Sequence, residues 1–320
     1  MRRVNRKVVR SAVFLLGLAV ILAAVSVIIS PKREIYNAIA VDEKEKSINE
    51  EPENTIDVIF MGDSESYSGF SPLQIWAEYG YTSYVCGTSA QRLCDTFALL
   101  QHVFEKQSPK AVVLEANCLF REAGIERKSG DKFLAAAAEC FPVFQYHSRW
   151  KTYFPQGDSK KSQISRERRM KGFRLRKTVK PYTGKLPYME ESDDIREVSG
   201  PAEEYIKKIR RLCRENNSEL VLVSVPSAKN WNYPKHNGVE KIAGDMGLEY
   251  LDLNLVEEIG IDWSTDTKDG GDHLNFEGAK KVTGYMGKYM NEHFGLTDHR
   301  GDESYQKWYE DCSLLDEKDK

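Results

Sequence analysis

The stretch from Thr55 to Ser71, TIDVIFMGDSESYSGFS, most limits what this chain can become. Its apolar, β-branched run (Ile56, Val58, Ile59, Phe60, Met61) stops at Gly62-Asp63-Ser64 and gives way to small polar residues. A run of that length bounded by turn residues predicts a buried strand that delivers a serine to the edge of a sheet. In open α/β sheets, ligands bind beyond the carboxyl ends of the strands, where the following helices point their N-terminal amides. Ser64 is therefore the first candidate nucleophile. Taken alone, Gly-Asp-Ser reads equally well as a simple turn.

The pattern then repeats. Pro72 to Tyr79 predicts a short helix with proline near its start, and Tyr81 to Cys86 a second strand ending at Gly87-Thr88-Ser89. Ala90 to Lys106 predicts an amphipathic helix with Leu93, Phe97, Leu100 and Phe104 on one face. Ala111 to Leu114 is a third buried strand, leading into Glu115-Ala116-Asn117. After an interruption the alternation resumes with a helix over Pro201 to Asn216 and a strand over Glu219 to Val225. A helix from Tyr233 to Gly247, a strand from Leu248 to Leu253 and a helix from Glu277 to Phe294 complete it. Strands and helices alternating at this spacing predict an α/β fold, a parallel sheet with helices on both faces joined by right-handed crossovers.

Ahead of this domain, Ser11 to Ser30 carries no charge and is long enough to cross a bilayer as a helix. Arg2, Arg3, Arg6, Lys7 and Arg10 precede it, and Ser30-Pro31-Lys32-Arg33 follow. The apolar core is longer than that of a cleaved signal, so the expectation is an uncleaved transmembrane anchor over 11–30. The excess of basic residues before it puts segment 1–10 in the cytoplasm and the large domain outside. Residues 31–54, rich in Asp and Glu, read as a linker lifting the domain off the membrane, and 297–320 as an acidic tail. With the basic N-terminal flank set aside, the rest of the chain is more acidic than its net charge of −3, which argues against a nucleic-acid partner. The six cysteines follow no metal-ligand spacing and read as buried free thiols.

Residues 120–200 interrupt the α/β pattern within a domain expected to span 55–296. The insertion holds an alanine-rich helix (Asp131 to Glu139) and an aromatic patch around Phe141, Phe144, Tyr146, His147, Trp150, Tyr153 and Phe154. His147, Arg149 and Trp150 in that patch are candidate substrate-binding residues. Lys160 to Lys180 follows, with ten Lys or Arg against the single Glu167. It reads either as a solvated insertion or as a lid or docking surface for an anionic polymer or lipid headgroup.

A serine nucleophile needs a base in hydrogen-bond reach, an acid to orient that base, and donors for the developing oxyanion. Among six histidines, His273 alone lies in a Gly- and Asp-rich loop, DWSTDTKDGGDHLN, beyond the last strand and before a helix. That loop falls on the same sheet edge as Ser64, which makes His273 the candidate base. Asp269 and Asp272 are both candidates for its orienting acid. Adjacent side chains on an extended backbone point apart, which disfavours Asp272, whereas Gly270-Gly271 can fold Asp269 back or turn Asp272 inward.

Gly62-Asp63-Ser64 after the first strand, Gly87 after the second, Asn117 after the third and the Asp-rich loop ending in His273 together resemble the four blocks of the SGNH, or GDSL, hydrolase superfamily. The resemblance covers Asp57 to about Phe294 apart from the insertion. It implies a three-layer, flavodoxin-like sheet, Ser64 as nucleophile and His273 as base. It also implies an oxyanion hole built from the Ser64 and Gly87 amides and the Asn117 side chain, with no metal or cofactor. Two positions depart from the pattern. Gly270 stands where the superfamily has an aspartate three residues before the histidine, and Glu115-Ala116-Asn117-Cys118 replaces Gly-x-Asn-Asp. The anchor, the Gly-Asp-Ser-Glu start and the insertion look most like the anchored extracytoplasmic branch. Its members include the D-alanyl-transfer protein of teichoic acid synthesis and the alginate O-acetylation proteins. The expected function is an extracytoplasmic serine esterase or O-acyltransferase acting on acyl, above all acetyl, groups of a cell-envelope polysaccharide or polymer. A membrane-bound O-acyltransferase is a possible partner on this reading. The other reading is an inactive module of the same fold that binds glycan or scaffolds such a partner.

Overall fold

The five apolar runs form strands β1 (Val58–Met61), β2 (Ser83–Val85), β3 (Ala111–Glu115), β4 (Glu219–Ser224) and β5 (Glu249–Asp252) in a computed structural model that describes residues 6–124, 132–154 and 157–316. Arg2, Arg3 and Asp131, the last four residues of the tail, and the side chains of Tyr153 and Lys160 lie outside the described residues. The helices are α1 (Arg6–Ile29), α2 (Ala38–Ile48), α3 (Ser64–Gly69), α4 (Pro72–Tyr79), α5 (Leu93–Val103) and α6 (Lys132–Cys140). They continue with α7 (Val143–Tyr146), α8 (Asp158–Arg169), α9 (Gly200–Glu215), α10 (Tyr233–Met246), α11 (Phe276–Phe294) and α12 (Gln306–Cys312).

All four strand pairings are parallel and the order is β2-β1-β3-β4-β5. This is the flavodoxin-like order, whose ligand crevice lies at the carboxyl ends of β1 and β3. Alternating strand residues feed two cores. Ile59, Met61, Val112, Leu114 and Leu222 pack with α2, α5, α9 and α10, while Val58, Phe60, Val113 and Val223 pack with α3 and α11. The sheet is covered by helices on both faces, as the alternation of elements predicts.

Helix boundaries follow local chemistry. Ser71 precedes Pro72 at the first turn of α4, which ends at Gly80 in the left-handed region (φ +79°). The Asn275 side chain accepts from the Glu277 and Gly278 amides to start α11. Helix α1 is apolar and almost wholly exposed, long enough to cross a membrane.

Two segments differ from expectation. The linker over 31–54 contains α2, whose Ala38, Val41 and Ile48 are buried in the core, with buried Lys44 paired to Glu167 at 2.7 Å. It is therefore part of the domain. The acidic tail likewise folds back: Trp308 lies 5.4 Å from Trp76, and Tyr305 and Leu314 are buried. Its acid Asp311 meets Lys171, which is fully buried between Glu51 (2.8 Å) and Asp311 (3.5 Å), with its ammonium 4.5 Å from the Trp308 ring. Burying apolar surface and a compensated charge here outweighs the solvation that the composition suggested. All six cysteines are free, four of them buried.

The insertion ends in a strap that runs along the loop bearing His273. Arg174 N–H donates to Tyr67 O (2.9 Å), Phe276 N–H to Arg176 O (2.7 Å) and Lys180 N–H to Thr267 O (3.0 Å). Gly270 N–H then donates to Lys180 O (2.9 Å), and Tyr182 N–H to Trp263 O (2.9 Å). The insertion thereby helps to shape the loop of His273.

Candidate active site

Strand β1 delivers Gly62 to the crevice with φ +136°, a backbone conformation that suits glycine. A Cβ there would lie 2.6 Å from Glu115 Cβ, so glycine also permits β1 and β3 to end side by side. Asp63 caps α3 by accepting the Glu65 amide (3.3 Å), and Ser64 opens that helix. Gly87 lies against the same turn: a Cβ would come 2.0 Å from Ser66 Oγ, and the next amide, Thr88 N–H, donates to Gly62 O (3.3 Å). Ser64 and Gly87 are therefore close neighbours at the sheet edge.

The loop before α11 is closed by its glycine pair. Gly270 and Gly271 take φ of +77° and +92°, and Thr267 Oγ1 both receives the Gly271 amide (2.8 Å) and donates to His273 O (2.9 Å). This fold brings Asp269 back onto His273. One Asp269 carboxylate oxygen lies 2.7 Å from Nδ1 and the other accepts the His273 amide at 2.7 Å. Asp272 stands 3.7 Å from Nδ1 and accepts instead from Asn230 Nδ2. The doubly held carboxylate fixes the imidazole and aims Nε2 away; Nε2 is buried and has no hydrogen-bond partner among the described residues.

Beneath these groups lies a polar network that sequence reasoning largely missed. Asp63, Glu65 and Glu115 are all buried and offer oxygens within 4.8 Å of one another, and Glu65 is equally close to Asp272 and His273. The Ser64 hydroxyl donates to Glu65 Oε2 (3.2 Å). Arg121 Nε donates to Asp63 (2.7 Å), Asn230 Nδ2 to Glu65 (2.8 Å), and the Asn117 amide N–H to Glu115 (3.0 Å). Lys235 Nζ donates to Asn117 Oδ1 (2.7 Å). Burial, reinforced by the Asp63 charge, pushes Glu65 and Glu115 well above the usual carboxylate range. Burial also acts on Asp63, but hydrogen bonds from Glu65 and the Arg121 guanidinium hold it below that range. Burial, with Arg196 nearby, lowers the Lys235 ammonium to about 8. The three carboxyls have the spacing to hold a cation, yet Asp63 and Glu65 already receive a guanidinium and N–H donors, and Glu115 receives the Asn117 amide on one oxygen. The donor set fits one ionised acid and two protonated ones better than a metal.

Asn117 stands beside the Ser64 turn, and its Nδ2 donates to Asp63 Oδ2 (3.4 Å) and Glu65 Oε1 (3.3 Å), which leaves it engaged instead of open to an oxyanion. Buried carboxyls at the start of α3 claim the amide. His147, Arg149 and Trp150 are not brought to Ser64. Arg149 binds Asp42 of α2 (2.8 and 3.0 Å) and Ile29 O (3.0 Å), His147 Nδ1 faces Phe144 O (3.2 Å), and Trp150 is half exposed with its edge on Phe154. The acidic composition of α2 concealed a counter-ion for Arg149. Of the missed residues only Glu65 had a local signal, as an acid inside the first turn of a buried helix. Asn230 and Lys235 reach the site by tertiary contact alone.

No family model matches the chain, and no curated protein does. Among solved structures it is similar to a psychrotrophic esterase, EstA, from Pseudoalteromonas sp. (11% identity, 74% of this chain, 97% of that one, TM-score 0.40). It is also similar to a family 3 carbohydrate esterase from Clostridium thermocellum (14%, 75% and 96%, 0.38) and to a GDSL-like lipase from Bacteroides thetaiotaomicron (13%, 79% and 98%, 0.37). At such identities and scores, nothing about activity or substrate passes from these proteins to this chain.

Proposed function

We propose that the chain is a serine esterase or O-acyltransferase, held by α1 in a membrane with its domain outside, acting on acyl groups of a cell-envelope polymer. The observation that carries the chemistry is the doubly held Asp269–His273 pair with its buried, unengaged Nε2 on the sheet edge of Ser64. Ser64 Oγ attacks the ester carbonyl while Nε2 takes its proton. The Ser64 and Gly87 amides receive the oxyanion, and collapse expels the alcohol, which takes the proton back from His273. Water or a polymer hydroxyl then accepts the acyl group. Retention of α1 is supported by its stitching to the domain: Val143 N–H donates to Ser26 Oγ (3.0 Å), and Arg149 holds Ile29 O.

A second reading, an inactive module that binds glycan or scaffolds a membrane acyl-transfer partner, is favoured by the Ser64 hydroxyl resting on Glu65. A fluorophosphonate probe separates the two. Labelling of Ser64 that disappears in Ser64→Ala supports the enzyme, and an unlabelled wild-type protein supports the module.

A further inference from the structure

The loop that carries Asp269 and His273 is ringed by cations, of which Arg174 alone has an acidic partner among the described residues. Lys268, in the loop itself, is half-buried. Its Nζ donates to Ser68 Oγ (2.8 Å) and stands 5.9 Å from the Tyr67 ring. Arg174 covers the same ring at 4.2 Å. Lys229 Nζ and Lys180 Cε flank Gly270, at 3.5 and 3.9 Å from where a Cβ would stand, and Lys229 donates to Asp269 O (3.2 Å). Arg176 precedes Lys180 on the strap, exposed, with Leu175 O as its acceptor among the described residues (3.0 Å). Among the described residues, Arg176, Lys180, Lys229 and Lys268 have no carboxylate within ion-pair distance. The acids that face this region are otherwise engaged. Glu167 holds Lys44 and Arg174, Asp269 holds His273, Asp272 meets Asn230, and Glu65 is buried with Asp63.

We propose that Lys268 and Arg176, extended by Lys180 and Lys229, form a subsite for an anionic group, phosphate or carboxylate, borne by the substrate beside its ester. This rests on Ser64 being the nucleophile. Ser68, which holds Lys268, follows Ser64 by four residues on one helix, about 6 Å of rise, so the ammonium stands one turn from the attacking oxygen. Burial lowers the Lys268 ammonium, Asp269 offsets part of that, and Arg176 and Arg174 add repulsion; an anion seated between the cations relieves burial and repulsion together. The protein keeps these cations together although acids outnumber bases in its sequence, 49 to 46. The substrate class that follows is a polyanionic polymer whose charge lies within a few bonds of the acylated hydroxyl.

The test compares phenyl acetate with 4-acetoxybenzoate and 4-acetoxyphenyl phosphate, using the full-length protein in detergent and normalising each rate to alkaline hydrolysis. The wild type should favour the anionic esters in kcat/KM, less so as salt rises. Lys268→Gln with Arg176→Gln should cut the anionic-to-neutral ratio on the order of tenfold or more. A higher ratio for the phosphate than for the benzoate identifies phosphate as the group, and equal ratios identify any anion. Tripolyphosphate binding, followed by calorimetry, reads the subsite without catalysis. Binding that the paired variant weakens, in a protein inert to phenyl acetate, keeps the subsite and removes the esterase. Phenyl acetate turnover with no anionic preference, or a preference and binding unchanged in the paired variant, overturns the subsite. Lys180→Gln with Lys229→Gln, both exposed, repeats the comparison should the first pair fold poorly.

Discussion

Replacing Glu115 by Gln should make the protein more stable at neutral pH while changing little in acid. Glu115 is fully buried, receives the Asn117 amide on one oxygen and has no donor to the other among the described residues. Its folded carboxyl is raised well above the ordinary 4.5, by burial first and then by Asp63 and Glu65. Below about pH 4.5 both folded and unfolded chains hold this proton, so its stabilising contribution is complete. Above that value the unfolded chain releases the proton while the folded chain keeps it. Stability attributable to Glu115 then falls by about 1.4 kcal/mol per pH unit until the folded carboxyl ionises. Gln keeps the acceptor for Asn117 and offers an N–H towards Asp63, much as the protonated acid does, but cannot titrate. Urea unfolding of wild type and variant at pH 4, 5, 6 and 7 checks this. The two should agree at pH 4 and then diverge, the variant gaining about 1.4 kcal/mol for each unit over which Glu115 stays protonated. Parallel stability curves across that range would refute the claim that Glu115 is buried as the neutral acid.

Three further outcomes follow from the geometry. Asp269→Asn should lower kcat by about 10² to 10⁴ through loss of the oriented imidazole tautomer, while Asp272→Asn stays near wild type; steady-state ester hydrolysis by the two variants checks this, and the reverse ranking would reassign the acid. Trp308→Ala should cost about 3 to 5 kcal/mol in chemical denaturation, because it empties the contact with Trp76 and uncovers Lys171; a loss below about 1 kcal/mol would mean the C-terminal residues are not integral. Protease added to intact cells should digest the domain, whereas full protection, or a mature N-terminus beginning after Ser30, would remove the anchor from the proposal.

The strands were legible because each is a short apolar run that ends at turn residues, and α4 because Pro72 and Gly80 mark its ends. The Ser64 turn and the His273 loop were legible for the same reason, since both follow strand ends. What remained hidden depends on partners distant in the chain. Helix α2 reads as solvated because Asp42, Glu43, Lys44, Glu45 and Lys46 dominate it, yet Asp42 is answered by Arg149 and Lys44 by Glu167. The basic stretch reads as a solvated insertion or as a lid or docking surface, but Arg168, Arg169, Lys171 and Arg174 pair with Glu50, Asp311, Glu51 and Glu167, leaving its later residues for the loop of His273. The choice between Asp269 and Asp272 turned on the positive φ of two glycines, a conformation that sequence allows without dictating. Asn117 lies beside the Ser64 turn, but the acids that take its amide, Asp63 and Glu65 at the start of α3, are distant from it in the chain.

The buried Lys171 joins Glu51, ahead of the first strand, to Asp311, near the end of the chain. The next residue, Gly172, packs on Val85 O, and the strap that shapes the His273 loop begins two residues later. Such closures, spanning 120 and 140 residues, are paid for in chain entropy before they return any energy, so they complete late in folding. A polypeptide emerging N-terminus first can therefore form its sheet, and even its serine turn, while the insertion still lacks its far anchor. The loop of His273 is then expected to take its final shape only when the last helix arrives. A chain truncated a few residues before Asp311 would be expected to keep much of its secondary structure and lose the order of the His273 loop, so full synthesis itself acts as the step that completes the site.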